Sequence, residues 1–248
     1  MKLPLLSVAF AALALSLSPA RAGDMHPIVV ELFTSQGCSS CPPADEVLAG
    51  LAARGDVVAI SLNLDIWDYI GWQDTLALPE NSERQRTYVR RIQGQVYTPQ
   101  VIVDGLYDIV GSREGEINAA IERRKIESHN RPIVGIATKG GDILVDVGPD
   151  PQGGRRHEAT VWLLRTLSST TVEVEAGENS GSALTYTNVV RAREKLGAWT
   201  GDAVTLSAPR RNPDAPAYDG YVVIVQEKDQ GEIVGASLVT DAALAAQN

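Results

Sequence analysis

Hydrophobic and polar positions divide this chain into two textures. From Ile28 to about Asn130, short apolar runs alternate with stretches of helical period. Ile28-Val29-Val30-Glu31-Leu32-Phe33 is almost continuously apolar, as a strand covered on both faces is, and Glu31 is its single charge. Pro42 to Ala53 reads as a helix, with proline at its start, Asp45 and Glu46 in its first turn, and Val47, Leu48 and Leu51 as its apolar stripe. Val57–Leu64 is a second strand. Residues 65–93 are helical and irregular by turns, and rich in Trp, Arg and Gln. Val101–Val103 reads as a third strand, turned at Asp104-Gly105 into a hairpin with Tyr107–Val110. Glu114–Glu127 closes this half as an amphipathic helix, with Ile117, Ala120, Ile121 and Arg124 at helical spacing.

After Pro132 the pattern becomes a train of short strands at 133–137, 143–147, 159–164, 171–175, 204–206, 221–226 and 233–239. Asn188–Leu196 reads as one short helix among them. The polar stretch Ser128-His129-Asn130-Arg131-Pro132 marks the boundary. The pattern therefore predicts an α/β domain over 23–130 with a helical insert, followed by a smaller all-β, sandwich-like domain over 131–248.

The first 22 residues, MKLPLLSVAFAALALSLSPARA, have a basic start, a short apolar run and the small-residue triplet Ala20-Arg21-Ala22. This is the layout of a signal peptide cleaved before Gly23, and the run is short of the roughly 20 residues that span a bilayer. The expected product is exported, periplasmic or secreted, and soluble after cleavage. The whole chain of 248 residues carries 22 basic and 31 acidic side chains, a net charge of −9. Losing Lys2 and Arg21 leaves 20 basic against 31 acidic, or −11. Nucleic acid is a poor partner for such a surface.

There are two cysteines, in Cys38-Ser39-Ser40-Cys41, between the first strand and the first helix. Nearby backbone N–H groups at a helix start stabilise a thiolate. Three readings compete. As a structural bridge, a loop of four residues contributes only about 2 kcal/mol, which a chain with a full core hardly needs. As a metal pair, the cysteines lack partners, because His26, His129 and His157 are scattered, and no metal or other cofactor is expected. Thiol chemistry is the preferred reading, with Cys38 as nucleophile and Cys41 resolving the mixed disulfide. Because Cys41 precedes Pro42, the regular helix is expected to start at Pro42 or Pro43, with Cys38 in the preceding turn.

Tyr97-Thr98-Pro99-Gln100 stands just ahead of the third strand. The order strand, Cys pair, helix, strand, helical insert, Thr-Pro, hairpin, helix resembles the thioredoxin fold. That resemblance implies that Pro99 is a cis-proline facing the Cys pair, with Thr98 beside it contacting substrate. The run from Glu31 to Asp45, Asp65-Ile66-Trp67-Asp68, Gly71-Trp72, Arg84-Gln85-Arg86, Val96-Tyr97-Thr98-Pro99-Gln100, Gly177-Glu178-Asn179, Asn188-Val189-Val190-Arg191 and Gly235-Ala236 resemble blocks of an uncharacterised family of bacterial secreted proteins. The family implies a thioredoxin-like domain and no established reaction. One block departs from it: the family's His-Val-Asp-Tyr-Trp-Asp is Asn63-Leu64-Asp65-Ile66-Trp67-Asp68 here, so no histidine stands there as ligand or proton carrier.

Around the pair, Glu31 is a candidate proton relay to Cys41, set against an edge-strand carboxylate that points to solvent or pairs with an arginine. Trp67 and Trp72 are candidates to wall a substrate site, set against a core role. Arg84 and Arg86 are candidates for a basic face that favours the Cys38 thiolate, with Arg90 and Arg91 beside them, set against a solvated helix surface. The expected function is an exported thiol–disulfide oxidoreductase acting on protein or small-molecule thiols and disulfides. The alternative is a non-catalytic thioredoxin-like binding protein, either a metallochaperone or an extracytoplasmic adaptor.

Overall fold

A computed structural model of the chain describes residues 26–128, 130–153 and 158–246. The expected signal peptide, His129 and His157 lie outside the described residues. The architecture is mixed α/β, dominated by one large mixed sheet. Its strands are β1 (Ile28–Thr34), β2 (Val57–Asn63), β3 (Gln100–Val103), β4 (Tyr107–Val110), β7 (Ala159–Glu173), β8 (Ala183–Trp199), β10 (Gly220–Glu227) and β11 (Ile233–Thr240), in the spatial order β11-β10-β7-β8-β2-β1-β3-β4. The pairs β1–β2 and β2–β8 are parallel and the others antiparallel. A second sheet, ordered β5-β6-β9, holds β5 (Val134–Lys139), β6 (Asp142–Val147) and β9 (Val204–Pro209). The helices are α1 (Pro42–Ala52), α2 (Pro79–Ile92), α3 (Glu114–Glu127) and a short α4 (Asp241–Ala245). Among the described residues no helix is long and apolar enough to cross a membrane.

The alternation along β1 explains the layering. Val30 and Leu32 face one side and pack with Leu48 and Leu51 of α1 and Ile117 and Ile121 of α3. Val29 and Phe33 face the other side and pack with Tyr88 of α2. Every residue of β1 and β2 is buried, which is why their sequences are mostly apolar. The second face also collects Leu164, Val190, Val222, Ile224 and Ile233, so one core spans both textures of the sequence. The β5-β6-β9 sheet lays Ile143, Val145 and Val147 against Val161, Leu163, Tyr221, Val223 and Val225 of the large sheet.

Two expectations are corrected here. Asn188–Leu196 is strand, part of the 17-residue β8. Val189 and Val190 suit a helix face equally well, but β8 pairs with β7 along almost its whole length, and Asn188, at φ 47°, donates to the Ala59 carbonyl of β2. Long-range pairing overrides local period there. The segments expected as two strands at 159–164 and 171–175 are one strand, because β7 stays paired with β8 from Ala159 to Glu173, and β8 carries the extra residues at the Val161/Trp162 and Arg165/Thr166 register shifts.

Candidate active site around the Cys pair

Cys38 and Cys41 are joined in a disulfide, with Cα atoms 5.4 Å apart. The link sits where β1 ends and α1 begins. Ser35 accepts from the Cys38 N–H at 3.1 Å, and the Cys38 carbonyl accepts from the Cys41 N–H at 3.1 Å, so two successive turns carry the chain into the helix. Cys41 is the N-cap and takes helical dihedrals despite preceding Pro42; its carbonyl accepts from Ala44 and Asp45. Cys38 keeps 3% of its surface in solvent and Cys41 none. Ser39 and Ser40 are exposed, and the Ser40 hydroxyl lies 3.4 Å from the Cys38 Sγ.

The Thr98–Pro99 peptide is cis. Its neighbourhood is shared with the pair in two ways. Trp67 donates through Nε1 to the Thr98 hydroxyl at 2.7 Å, while its own Cβ packs on Gly37, where an added Cβ would come within 2.8 Å of it. Gly111, whose N–H donates to the Pro99 carbonyl, lies between Pro99, Leu32 and Ala44 of α1, with no room for a side chain. Tyr69 stacks on Trp67 and is 78% exposed, so an aromatic step rises beside the Cys turn.

Polar anchors fix the turn from below. The Gln36 N–H donates to Asp74 at 2.8 Å, and its side chain accepts from Trp72 Nε1 at 2.8 Å and donates to Thr75. Asn63, at the end of β2, donates to Asp74 at 3.1 Å. From the far half of the sequence, Asn179 donates to the carbonyls of Gln36 and Cys38.

Beneath the helix start lies a buried carboxyl. Asp45, one turn after Cys41, is enclosed with Thr34 of β1 nearby, and neither of its oxygens has a hydrogen-bond partner among the described residues. Burial pushes its pKa well above the ordinary 3.8, and the negative charges of Asp74 and Glu46 push the same way. The Thr34 hydroxyl opposes that shift, though no hydrogen bond of good geometry joins the two. Burial raises Asp74 too, against the donors that face it. Tyr186 of β8, whose hydroxyl is also without a partner among the described residues, is raised by burial and then by Asp45 and Asp74.

The structure thus gathers Cys38, Cys41, Trp67, Trp72, Thr98 and Pro99 in one region. It does not bring Glu31, Arg84 or Arg86 there. Glu31 points to the opposite face of the sheet from α1, where Arg84 grips it at 2.6 and 2.9 Å and Tyr88 donates to it at 2.5 Å, all fully buried. Its ion pair with Arg84 is the plain reading, and the relay role is corrected by strand alternation. Arg84 therefore lends no charge to Cys38. Arg86 and Arg90 are exposed on α2, and Arg91 reaches the Gly105 carbonyl. The sequence reading missed Asp45 as a buried acid, and missed Asp74, Tyr186 and Asn179 as parts of the site. Among the described residues no three His, Cys, Asp or Glu side chains converge to hold a metal.

The pattern of a family described as "Protein of unknown function (DUF1223)" matches residues 29–226. A crystal structure of the protein AGR_C_4864 from Agrobacterium tumefaciens is similar, at 33% identity, covering 89% of this chain and 96% of that one with a TM-score of 0.77. HBP35 of Porphyromonas gingivalis shares 14% identity over 87% of this chain and 75% of its own, with a TM-score of 0.61, a likeness of fold alone. No curated protein matches the chain.

Proposed function

Taking as premise that the chain belongs to this family of unknown function, we propose that it is an exported thiol–disulfide oxidoreductase built on a thioredoxin-like arrangement. The observation that carries the reading is the Cys38–Cys41 disulfide at the start of α1, beside the cis Thr98–Pro99 peptide and over the buried Asp45 carboxyl. The helix start favours negative charge at the pair, and Cys38 is the sulfur with access to solvent.

In the oxidising direction, a partner thiolate attacks the Cys38 sulfur and forms a mixed disulfide, and the S–S bond to Cys41 breaks. Cys41 leaves as a thiolate and takes a proton. A second partner thiolate then displaces Cys38, so the partner loses two electrons and two protons and the Cys pair gains them. The reducing direction is the reverse sequence, with the Cys38 thiolate as attacker and Cys41 closing the pair. Asp45, one helical turn from Cys41 and raised by burial, is suited to give and take the Cys41 proton.

The test is a Cys41→Ser protein expressed with its native leader. It should accumulate mixed disulfides through Cys38 that run as reducible higher-mass species. The unaltered pair should titrate above about −300 mV, the region below which structural disulfides fall. A pair below that value that traps nothing is an inert bridge, and the reading fails.

A further inference from the structure

The turn between β7 and β8 reaches back across the molecule to the Cys pair. Its Asn179 side-chain amide donates to the Gln36 carbonyl at 2.9 Å and to the Cys38 carbonyl at 3.0 Å, and is nearly sealed from solvent. These two carbonyls flank Gly37, so one side chain spans the turn that presents Cys38. The donor itself is held. Gly177 takes φ +79°, a conformation that suits glycine, and lies against Trp72, whose indole donates to Gln36. The Gly181 N–H closes on the Val174 carbonyl at 2.7 Å, and the Ser180 hydroxyl on the Glu175 carbonyl at 2.9 Å.

We infer that Asn179 is a positioning residue of the Cys pair, fixing the Gln36–Cys38 turn and making the Cys38 thiol more acidic through its two donated hydrogen bonds. This rests on the redox reading above. When the pair is reduced, the Cys38 thiolate belongs to the residue whose carbonyl oxygen Asn179 holds. An N–H on that oxygen sets the positive end of the amide dipole near the sulfur, in a pocket with little water to screen it. The Cys38 carbonyl already accepts from Cys41, and Asn179 supplies its second partner. A stabilised thiolate stabilises the reduced pair, so Asn179 makes the pair a stronger oxidant.

The experiment uses the full chain and Asn179→Ala, Asn179→Asp and Asn179→Gln variants. Each reduced protein is alkylated with iodoacetamide across a pH series, with the label at Cys38 read by fragment mass spectrometry. Each pair is also titrated against glutathione. The Ala variant should raise the Cys38 thiol pKa and move the thiol–disulfide equilibrium about tenfold toward the disulfide, close to 30 mV more reducing. The Asp variant, alike in shape but without the two donors, should move further the same way, and Gln, which keeps them, should recover part of the shift. If Ala does not fold, Asp and Gln carry the comparison. Unaltered Cys38 acidity and potential in folded variants overturn the inference, whatever happens to their unfolding temperatures. If the parent protein shows no exchange, the oxidoreductase reading falls, while the alkylation profile still decides the role of Asn179.

Discussion

At the scale of single residues, Asp45 and Glu31 exchange the roles that their sequence settings suggest. Glu31 is conspicuous as a charge in an apolar strand, and an arginine partner is one of the roles that setting allows; whether it is buried and which face it takes depend on where α1 and α2 settle, and that is tertiary information. Asp45 reads as an ordinary first-turn acid complementing a helix dipole, because Tyr186, which helps enclose it, lies more than a hundred residues away. Its chemistry follows from its burial. In the unfolded chain the carboxyl ionises near 3.8, and in the native protein well above that. Between those two values the native state holds the extra proton, so stability falls as pH rises through the interval. Above the native pKa the penalty of the buried charge is fully present. Asp45→Asn should therefore be more stable than its parent at pH 8 and no more stable at pH 3, measured by urea unfolding of the oxidised proteins. The same variant should exchange roughly 10²-fold more slowly at pH 7, the lower end of what a positioned proton carrier contributes. Parental exchange rates with a parental pH profile would remove Asp45 from the proton path.

At the scale of elements, the Arg84–Glu31 pair ties α2 to the centre of the sheet. Arg84 also donates to Tyr88 and to Gln226 of β10, and Gln226 donates in turn to Tyr88 and the Gly231 carbonyl. The apolar face of α2 is thin, with Tyr88 and Ile92 packed toward the core, so this network takes much of the work that an apolar stripe usually does. That explains why residues 65–93 looked irregular in sequence: the buried face of α2 holds Asn81, Ser82, Arg84 and Gln85, which a hydrophobic period does not find. Breaking the pair from one side leaves a buried guanidinium without its counterion. Glu31→Gln should lose about 3–5 kcal/mol of stability, whereas replacing both partners with apolar residues of similar volume should lose far less. Neither change should move the potential of the Cys pair, because the network lies on the far face of the sheet. Denaturant unfolding and redox titration of the same preparations check both statements. A shift in potential that tracks the loss of Glu31 would return this carboxylate to the redox site. The β7–β8 hairpin teaches the same lesson in strands, since only its partners reveal that Asn188–Leu196 is extended.

At the scale of the whole molecule, the two textures of the sequence are real but are joined by one sheet. The change near residue 130 separates a region of helices and strands from a region of strands, and that much was legible from period alone. The union was not, because it depends on β8 lying alongside β2 through Ser61 and Val189, a pairing with no local signature. The Ser61 hydroxyl donates to the Thr187 carbonyl, Asn188 to the Ala59 carbonyl, and the Ile233 N–H to the Asp104 carbonyl. Val58, Ile60 and Leu62 of β2 share their core with Leu164, Val190, Val222 and Ile224. Cutting at the texture boundary would bare that apolar face, leave Arg84 without Gln226 and strip Asn179 from the Cys turn. Each buried aliphatic side chain so exposed forfeits about 1.5–3 kcal/mol, so baring Val58, Ile60 and Leu62 alone costs the N-terminal fragment about 5–9 kcal/mol, comparable to the roughly 5–15 kcal/mol by which a domain is stable. A fragment of residues 26–130 should therefore show no cooperative thermal transition and should be digested by protease at concentrations that spare the full chain. Adding the complementary fragment, 131–246, should restore protection, since the contacts between them form a continuous sheet and core. A fragment 26–130 that melts cooperatively and resists protease on its own would make the Cys-bearing half an independent unit, and the long β7–β8 hairpin an accessory rather than a part of the redox site.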